Sequence, residues 1–181
     1  MKPLGLGWPN VVSVGRALLV PVLVALVVID TPRASVIAAA VFLLGAATDS
    51  LDGYLARRHS MKTATGAWLD PLSDKLLVSA PIVVLAVRGD FPAWAAVVIV
   101  GREVAVSVLR AYLGSQRTSM PASWLGKLKT VSQIAAVVLY LLPLGDGAQP
   151  LRTVVLLVAV VLTVVSGIDY FVSSRSRVAG T

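Results

Sequence analysis

The chain has 181 residues, 57% of them hydrophobic and 14% charged, with a mean hydropathy of +0.86 and a formal net charge of +7. Soluble globular domains carry apolar residues at just under half and charges at about a quarter, so this composition excludes one and points to an integral membrane protein. There is no cysteine, which excludes disulfides and thiolate metal sites, and the positive balance reads as cationic loops facing anionic lipid rather than as a nucleic-acid surface.

Six apolar blocks follow in order, each about 18 to 24 residues, the length that crosses roughly 30 Å of hydrocarbon at about 1.5 Å per residue. After the nearly uncharged opening "MKPLGLGWPN" comes a first span over 12–29. It lacks a small-residue cleavage site and reads as a retained helix rather than a signal peptide. Pro21 inside it predicts a kink, which membrane helices tolerate when neighbours compensate. The second span, 34–56, contains the small cluster Gly45 to Ala47, suited to close helix packing. It ends on Asp49, Asp52, Gly53 and Ala56. A basic loop with Arg57, Arg58 and Lys62 leads to the third span, 67–87, which opens on Asp70 and Asp74; His59, in that loop, reads as solvated. The fourth span, 92–113, holds Arg102, Glu103 and Arg110, the fifth, 126–144, opens on Lys127, Lys129 and Thr130, and the sixth, 151–172, ends near Asp169. Connectors such as "DTPR", "RGDFP" and "GDGAQP" are too short to be domains. The reading is therefore one all-α transmembrane domain over 1–181, with six helices.

Lysine and arginine set the orientation. With the N-terminus in the cytoplasm, that side holds Lys2, Arg57, Arg58, Lys62, Arg117, Lys127, Lys129, Arg175 and Arg177, and the other side only Arg33, Arg88 and Arg152. The asymmetry predicts both termini cytoplasmic. Trp8, Trp68, Trp94 and Trp124 fall near span ends, as an aromatic belt requires. Asp30, Asp90 and Asp146 sort to the three outer loops, where solvation accounts for them. The other six acidic residues lie within spans or at their cytoplasmic ends, where a carboxylate is expensive and usually functional.

Asp49 and Asp52 are three apart and Asp70 and Asp74 four apart, so each pair lies within one helical turn. The loop between the pairs is cytoplasmic, which lets both contribute to one cleft on that side of the bundle. Four carboxylates, with no histidine or cysteine joining them as a ligand, suit Mg²⁺, Mn²⁺ or Ca²⁺ rather than zinc. Crowded carboxylates repel and are driven to protonate; a divalent ion relieves this and offers a seat for phosphate oxygens. Gly53 and Ala56 leave room for a pyrophosphate to approach the backbone. The plainer reading is a set of helix-end aspartates, with Asp70 and Asp74 favouring the start of the third helix.

The pattern D-x2-D-G-x2-A-R-x8-G-x3-D-x3-D is met in full by Asp49, Asp52, Gly53, Ala56, Arg57, Gly66, Asp70 and Asp74. It resembles the signature of the CDP-alcohol phosphotransferase family, six-span enzymes that make phospholipids. The segments "WPNVVSVGRALLVP", "DPLSDKLL", "GREVAVSVLRAYL", "SWLGKLKTVSQ" and "SGIDYF" resemble the branch that uses sn-glycerol 3-phosphate, with Ser13 where that branch usually has threonine. The resemblance implies transfer of a phosphatidyl group from CDP-diacylglycerol to glycerol 3-phosphate with release of CMP. It implies two Mg²⁺ or Mn²⁺ ions, bridged by Asp49 and Asp70, with Asp52 on the first and Asp74 on the second, and Asp74 as general base. It places Asn10, Val11, Val12, Ser13, Gly53, Ala56, Arg57 and Thr63 on the CDP-diacylglycerol side. It further implies a homodimer in the cell membrane, with the active site facing the cytoplasm.

An anionic acceptor needs cations. Arg102 and Arg110 are eight residues apart, two helical turns, and so share a face; with Lys127 and Lys129 they are the candidates for the acceptor phosphate. Arg102 reads equally well as a partner for Glu103, and the two lysines equally well as membrane-surface anchors. Asp169 reads as the structural partner of a basic residue. The same chemistry with phosphatidylglycerol or an inositol phosphate as acceptor is the nearest alternative. A cation transporter is the remote one, since the four aspartates form no ladder through the bilayer.

Overall fold

In the computed structural model the described residues are 8–59, 66–115 and 124–178, with side chains over 15–48, 73, 75–114 and 124–175. Among them every regular element is a helix. In chain order these are α1 (Trp8–Ile29), α2 (Pro32–His59), α3 (Gly66–Arg88), α4 (Ala93–Ser115), α5 (Trp124–Leu141) and α6 (Gln149–Val178), with a single 3-10 turn, Asp146–Ala148, before α6. The segment Asp146–Arg175 is long and apolar enough to cross a membrane on its own, and Gly15–Ile29 and Pro32–Thr48 are shorter apolar stretches.

The six helices match the six apolar blocks, and local chemistry explains where the ends differ. α1 starts at Trp8, ahead of the apolar run, because Pro9 falls in its first turn, where a missing N–H costs nothing. It then continues through Pro21 as one helix. Thr31 caps α2: its Oγ1 accepts from the Ala34 N–H at 3.2 Å and Pro32 takes the first helical position. Asp30, just before it, turns the chain with a φ of 51°. Gly89 ends α3 with a φ of 85°, its N–H donating to the Ala86 carbonyl at 3.1 Å. Arg88 and Asp90 pair across that turn at 2.8 Å. α5 stops at Leu141, three residues before the apolar block ends, because Pro143 disfavours helical geometry in the residue before it.

The chain divides into two compact units, residues 1–85 with 141–143, and residues 86–140 with 144–181. In the first unit α1 packs along α2. Leu23 and Val27 of α1 are buried, as are Ala34, Ala38, Phe42 and Ala46 of α2, a stripe spaced by four. Gly45 lies in this stripe against α3: a Cβ there would come within 2.8 Å of Leu77 Cδ2, and Leu77 is itself buried. Gly45→Val is therefore expected to destabilise the folded protein by about 1–3 kcal/mol, the usual cost of overpacking. A thermal midpoint in detergent equal to that of the unaltered protein would remove Gly45 as a packing contact.

In the second unit α4 packs on α6. Phe91 is buried with its ring 4.7 Å from that of Tyr140. Arg152, near the start of α6, reaches back to the end of α5. Its Nε donates to the Leu139 carbonyl at 2.9 Å and its Nη2 to the Leu144 carbonyl at 3.3 Å, and its guanidinium lies over the Tyr140 ring at 5.7 Å. Charge thus satisfies carbonyls that the helix end leaves open. Outward faces are apolar: Leu18, Leu44, Val87, Val97, Val108, Val131 and Val161 each expose more than half of their surface. Hydrocarbon, rather than water, is the solvent such faces match.

Candidate functional site

The four aspartates fall on two helices. Asp49 and Asp52 belong to the second half of α2, and Asp70 and Asp74 to the first half of α3. Continuous helical backbone at both places puts the members of each pair one turn apart, as the spacing predicts. Gly53, Ala56 and Arg57 continue along α2, and Asn10, Val11, Val12 and Ser13 lie in the first turns of α1. The side chains of all these residues, and Thr63 altogether, lie outside the described residues. Among the described residues no three histidine, cysteine or acidic side chains gather as a metal site.

The second unit contains a different constellation. Along α4 the buried stripe runs Ala95, Ile99, Val106 and Leu113, and between Ile99 and Val106 the inward positions fall to Arg102 and Glu103. Their side chains are 15% and 13% exposed. On α5 the inward stripe contains Lys129 and Gln133, and on α6 Thr163 and Ser166, all buried. Three helices whose outer faces are valine and leucine thus turn charge and hydroxyls toward one another. Sequestered charge is costly unless paired and hydrogen-bonded, and here it is both.

Glu103 Oε1 accepts from Arg102 Nη1 at 3.2 Å and also from Lys129 Nζ, so one carboxylate oxygen joins two cations on different helices. Arg102 Nη2 donates to Ser166 Oγ at 3.1 Å. The Ser166 hydroxyl donates in turn to the Thr163 carbonyl at 3.1 Å. Gln133 Nε2 donates to Thr163 Oγ1 at 2.8 Å, and that hydroxyl donates to the Ala159 carbonyl at 2.6 Å. The stem of Arg102 runs across Gly167, where an added Cβ would lie 3.2 Å from Arg102 Cγ and 3.5 Å from its Nε. A side chain at this position would press on the arginine stem, which would have to give by a few tenths of an ångström. The Arg102 Nε and the Tyr170 hydroxyl are buried and have no hydrogen-bond partner among the described residues.

The four basic residues singled out for an acceptor phosphate separate in the structure. Arg102 and Lys129 meet at Glu103. Arg110 does share its face with Arg102, since both reach α6, but its guanidinium is exposed and lies over the Tyr170 ring at 5.6 Å. Lys127 is exposed and makes no ion pair among the described residues, whereas Lys129, two residues on, is 6% exposed. Thr130 bonds back to its own helix at the Gly126 carbonyl, at 3.0 Å. Asp169 forms no ion pair among the described residues, against its reading as a partner for a basic residue. In that segment it is the neighbouring ring of Tyr170 that meets a cation.

A sequence profile of CDP-alcohol phosphatidyltransferase matches residues 6–165, running through both compact units. The chain belongs to the CDP-alcohol phosphatidyltransferase family. Relatives of this enzyme include a probable phosphatidylglycerophosphate synthase of Mycobacterium tuberculosis, 37% identical over 174 residues, which cover 94% of this chain and 83% of that protein. A CDP-diacylglycerol–glycerol-3-phosphate 3-phosphatidyltransferase of Bacillus subtilis is 38% identical over 178 residues, 90% of this chain and 92% of the relative. One of the same name from Rickettsia bellii is 35% identical over 169 residues, again 90% and 92%. In this phosphatidyltransferase the residues that pattern reading passed over are Gln133, Thr163, Ser166 and Gly167. Gln133, Ser166 and Gly167 fall within the segments "SWLGKLKTVSQ" and "SGIDYF" that carry the resemblance, and all four share a second signal, a polar or tiny residue at an inward position of an otherwise apolar helix.

Proposed function

We propose that the protein transfers the phosphatidyl group of CDP-diacylglycerol to sn-glycerol 3-phosphate, giving phosphatidylglycerophosphate and CMP. The observation that carries this reading is the complete eight-position aspartate signature on α2 and α3, in a chain whose relatives named above carry that activity in their names. The donor set of Asp49, Asp52, Asp70 and Asp74 fits two Mg²⁺ or Mn²⁺ ions: hard oxygen donors, paired one turn apart on each of two helices. Bound there, such ions would neutralise the pyrophosphate and stabilise departing CMP.

The residues of the chain supply the rest. Asp74 accepts the proton of the attacking hydroxyl as the new phosphoester bond forms. Gly53 and Ala56 leave backbone room beside the pyrophosphate, Arg57 adds positive charge, and Asn10 to Ser13 with Thr63 contact the liponucleotide. Arg102 and Lys129 meet the phosphate of the acceptor, with Arg110 and Lys127 as outer cations. Attack is direct, with no covalent enzyme intermediate. The protein works as a six-span homodimer in the cell membrane, its termini and active site on the cytoplasmic side, as its charge asymmetry favours.

Purified protein in detergent or liposomes, given CDP-diacylglycerol, Mg²⁺ and radiolabelled glycerol 3-phosphate, is expected to move label into lipid with matching CMP release. CMP release dependent on phosphatidylglycerol or an inositol phosphate instead would keep the family chemistry and overturn the acceptor. CMP release with no added acceptor at all would mean hydrolysis rather than transfer.

A further inference from the structure

We propose that Tyr170 selects the acceptor. Its hydroxyl pairs with a hydroxyl group of a polyol phosphate, while Arg110, seated on its ring, meets the phosphate. This rests on the reading of glycerol 3-phosphate as acceptor.

The inward stripes of α4 and α6 lead to this tyrosine. On α6 the buried positions include Leu156, Ala159, Thr163, Ser166 and Ser174, and Tyr170 falls midway between the last two. On α4 Ile99, Val106 and Leu113 are buried; Arg102 lies between the first two and Arg110 between the last two. Yet Arg110 is exposed. Exposure on a stripe that is buried to either side marks a hollow beside the helix contact rather than an outward face. The Arg110 guanidinium lies 5.6 Å from the centre of the Tyr170 ring and has no ion pair among the described residues.

Most polar side-chain atoms where α4 meets α6 are matched. Ser166 accepts from Arg102 Nη2 and gives its proton to the Thr163 carbonyl, and Thr163 gives its own to the Ala159 carbonyl. Among the described residues of this unit, two buried side-chain atoms are left without a hydrogen bond. They are the Arg102 Nε, beside Gly167, and the Tyr170 hydroxyl, three residues further along α6. Buried hydroxyls are nearly always bonded, so one that is not calls for a partner.

The chemistry of that partner follows from what each group offers. A guanidinium only donates and always carries its charge, which suits phosphate oxygens. A phenol both donates and accepts, as an alcohol does. A small molecule with a phosphate and free hydroxyls satisfies both groups at once. Glycerol 3-phosphate carries two hydroxyls: one attacks, and the other is free to be read. The cation over its ring restrains the tyrosine in advance, which lowers the ordering cost when the acceptor arrives.

The test compares glycerol 3-phosphate with propane-1,3-diol monophosphate, which keeps the phosphate and a terminal hydroxyl and lacks the middle one. The unaltered protein is expected to favour glycerol 3-phosphate in kcat/KM by at least about tenfold, since a site that bonds a substrate hydroxyl rejects the analogue without it. Tyr170→Phe, which keeps the ring under Arg110, is expected to lose about tenfold toward glycerol 3-phosphate and little toward the diol phosphate. Its KM for CDP-diacylglycerol is expected to stay within about twofold. Where the diol phosphate turns over too slowly to follow, its inhibition constant against glycerol 3-phosphate gives the same comparison. The thermal midpoint of Tyr170→Phe is expected to match or exceed that of the unaltered protein, because the hydroxyl gives up no bond within the fold. Equal use of the two acceptors by the unaltered protein would overturn the proposal, as would equal losses toward both in Tyr170→Phe. A hydroxyl satisfied by an internal water would leave the discrimination unmoved, and one with a structural partner would lower the midpoint; either result overturns it. If the unaltered protein does not use glycerol 3-phosphate, the acceptor reading fails first. If it does, and Tyr170→Phe matches it in every respect, the selection by Tyr170 alone is overturned.

Discussion

Replacing Asp74 by asparagine is expected to lower phosphatidyl transfer by about 10³-fold, within the range that a positioned general base contributes. An alcohol holds its proton far too tightly for spontaneous loss at neutral pH, so attack on the phosphorus needs a group that takes the proton as the bond forms. Asparagine keeps the shape of aspartate and can accept a hydrogen bond, but it cannot take up the proton. Asp74 lies inside continuous α3 rather than at a frayed end, so the substitution leaves the helix intact. Folding, read as the thermal midpoint, and binding of CDP-diacylglycerol are expected to persist. CMP release is the measurement. Turnover within about threefold of the unaltered protein would remove Asp74 from the proton step.

Exhaustive chelation with EDTA is expected to abolish turnover, and added Mg²⁺ or Mn²⁺ to restore it. Four aspartates that share one site, as proposed above, would repel one another without a counter-cation, and hard divalent ions are the partners carboxylate oxygens prefer. Removing one donor by Asp52→Asn is expected to raise the metal concentration for half-maximal activity by about tenfold or more, because affinity in such sites follows the number of charged ligands. Chelated protein that keeps its full rate would end the carboxylate–metal reading. The signature would then be left as helix-end charge. A shifted metal requirement with an unchanged KM for glycerol 3-phosphate would separate this site from the cations of the second unit.

The helices were legible because each is a long, mostly apolar block, and length and composition are properties of consecutive residues. All six blocks became helices, and the misjudged ends have local causes. Hydropathy marks where apolar residues stop, not where hydrogen bonds stop, so α6 runs on to Val178 through the polar "SSRSR". α5 halts early for Pro143. The small cluster in α2 was also legible in part: Gly45 and Ala46 are buried, whereas Ala47 is exposed. The aspartate signature was readable because its spacing is local to two helices. The Glu103 junction was not, since Lys129 lies 26 residues and Ser166 more than 60 residues away in sequence. Pattern alone left Arg102 equally suited to an acceptor or to Glu103. Packing pairs it with Glu103 and adds Ser166, which no periodicity of α4 announces. For Asp169 the pattern suggested an ion pair, and none forms among the described residues.

Gly167 carries no charge, and no tally of ionisable groups would count it. Yet its missing side chain is the channel along which Arg102 travels to reach Glu103 and Ser166. At this position a steric edit is an electrostatic edit. Even an inert side chain here would push on the stem of a cation one helix away. A substitution that is neutral in composition would therefore be felt in the protein at a charged side chain.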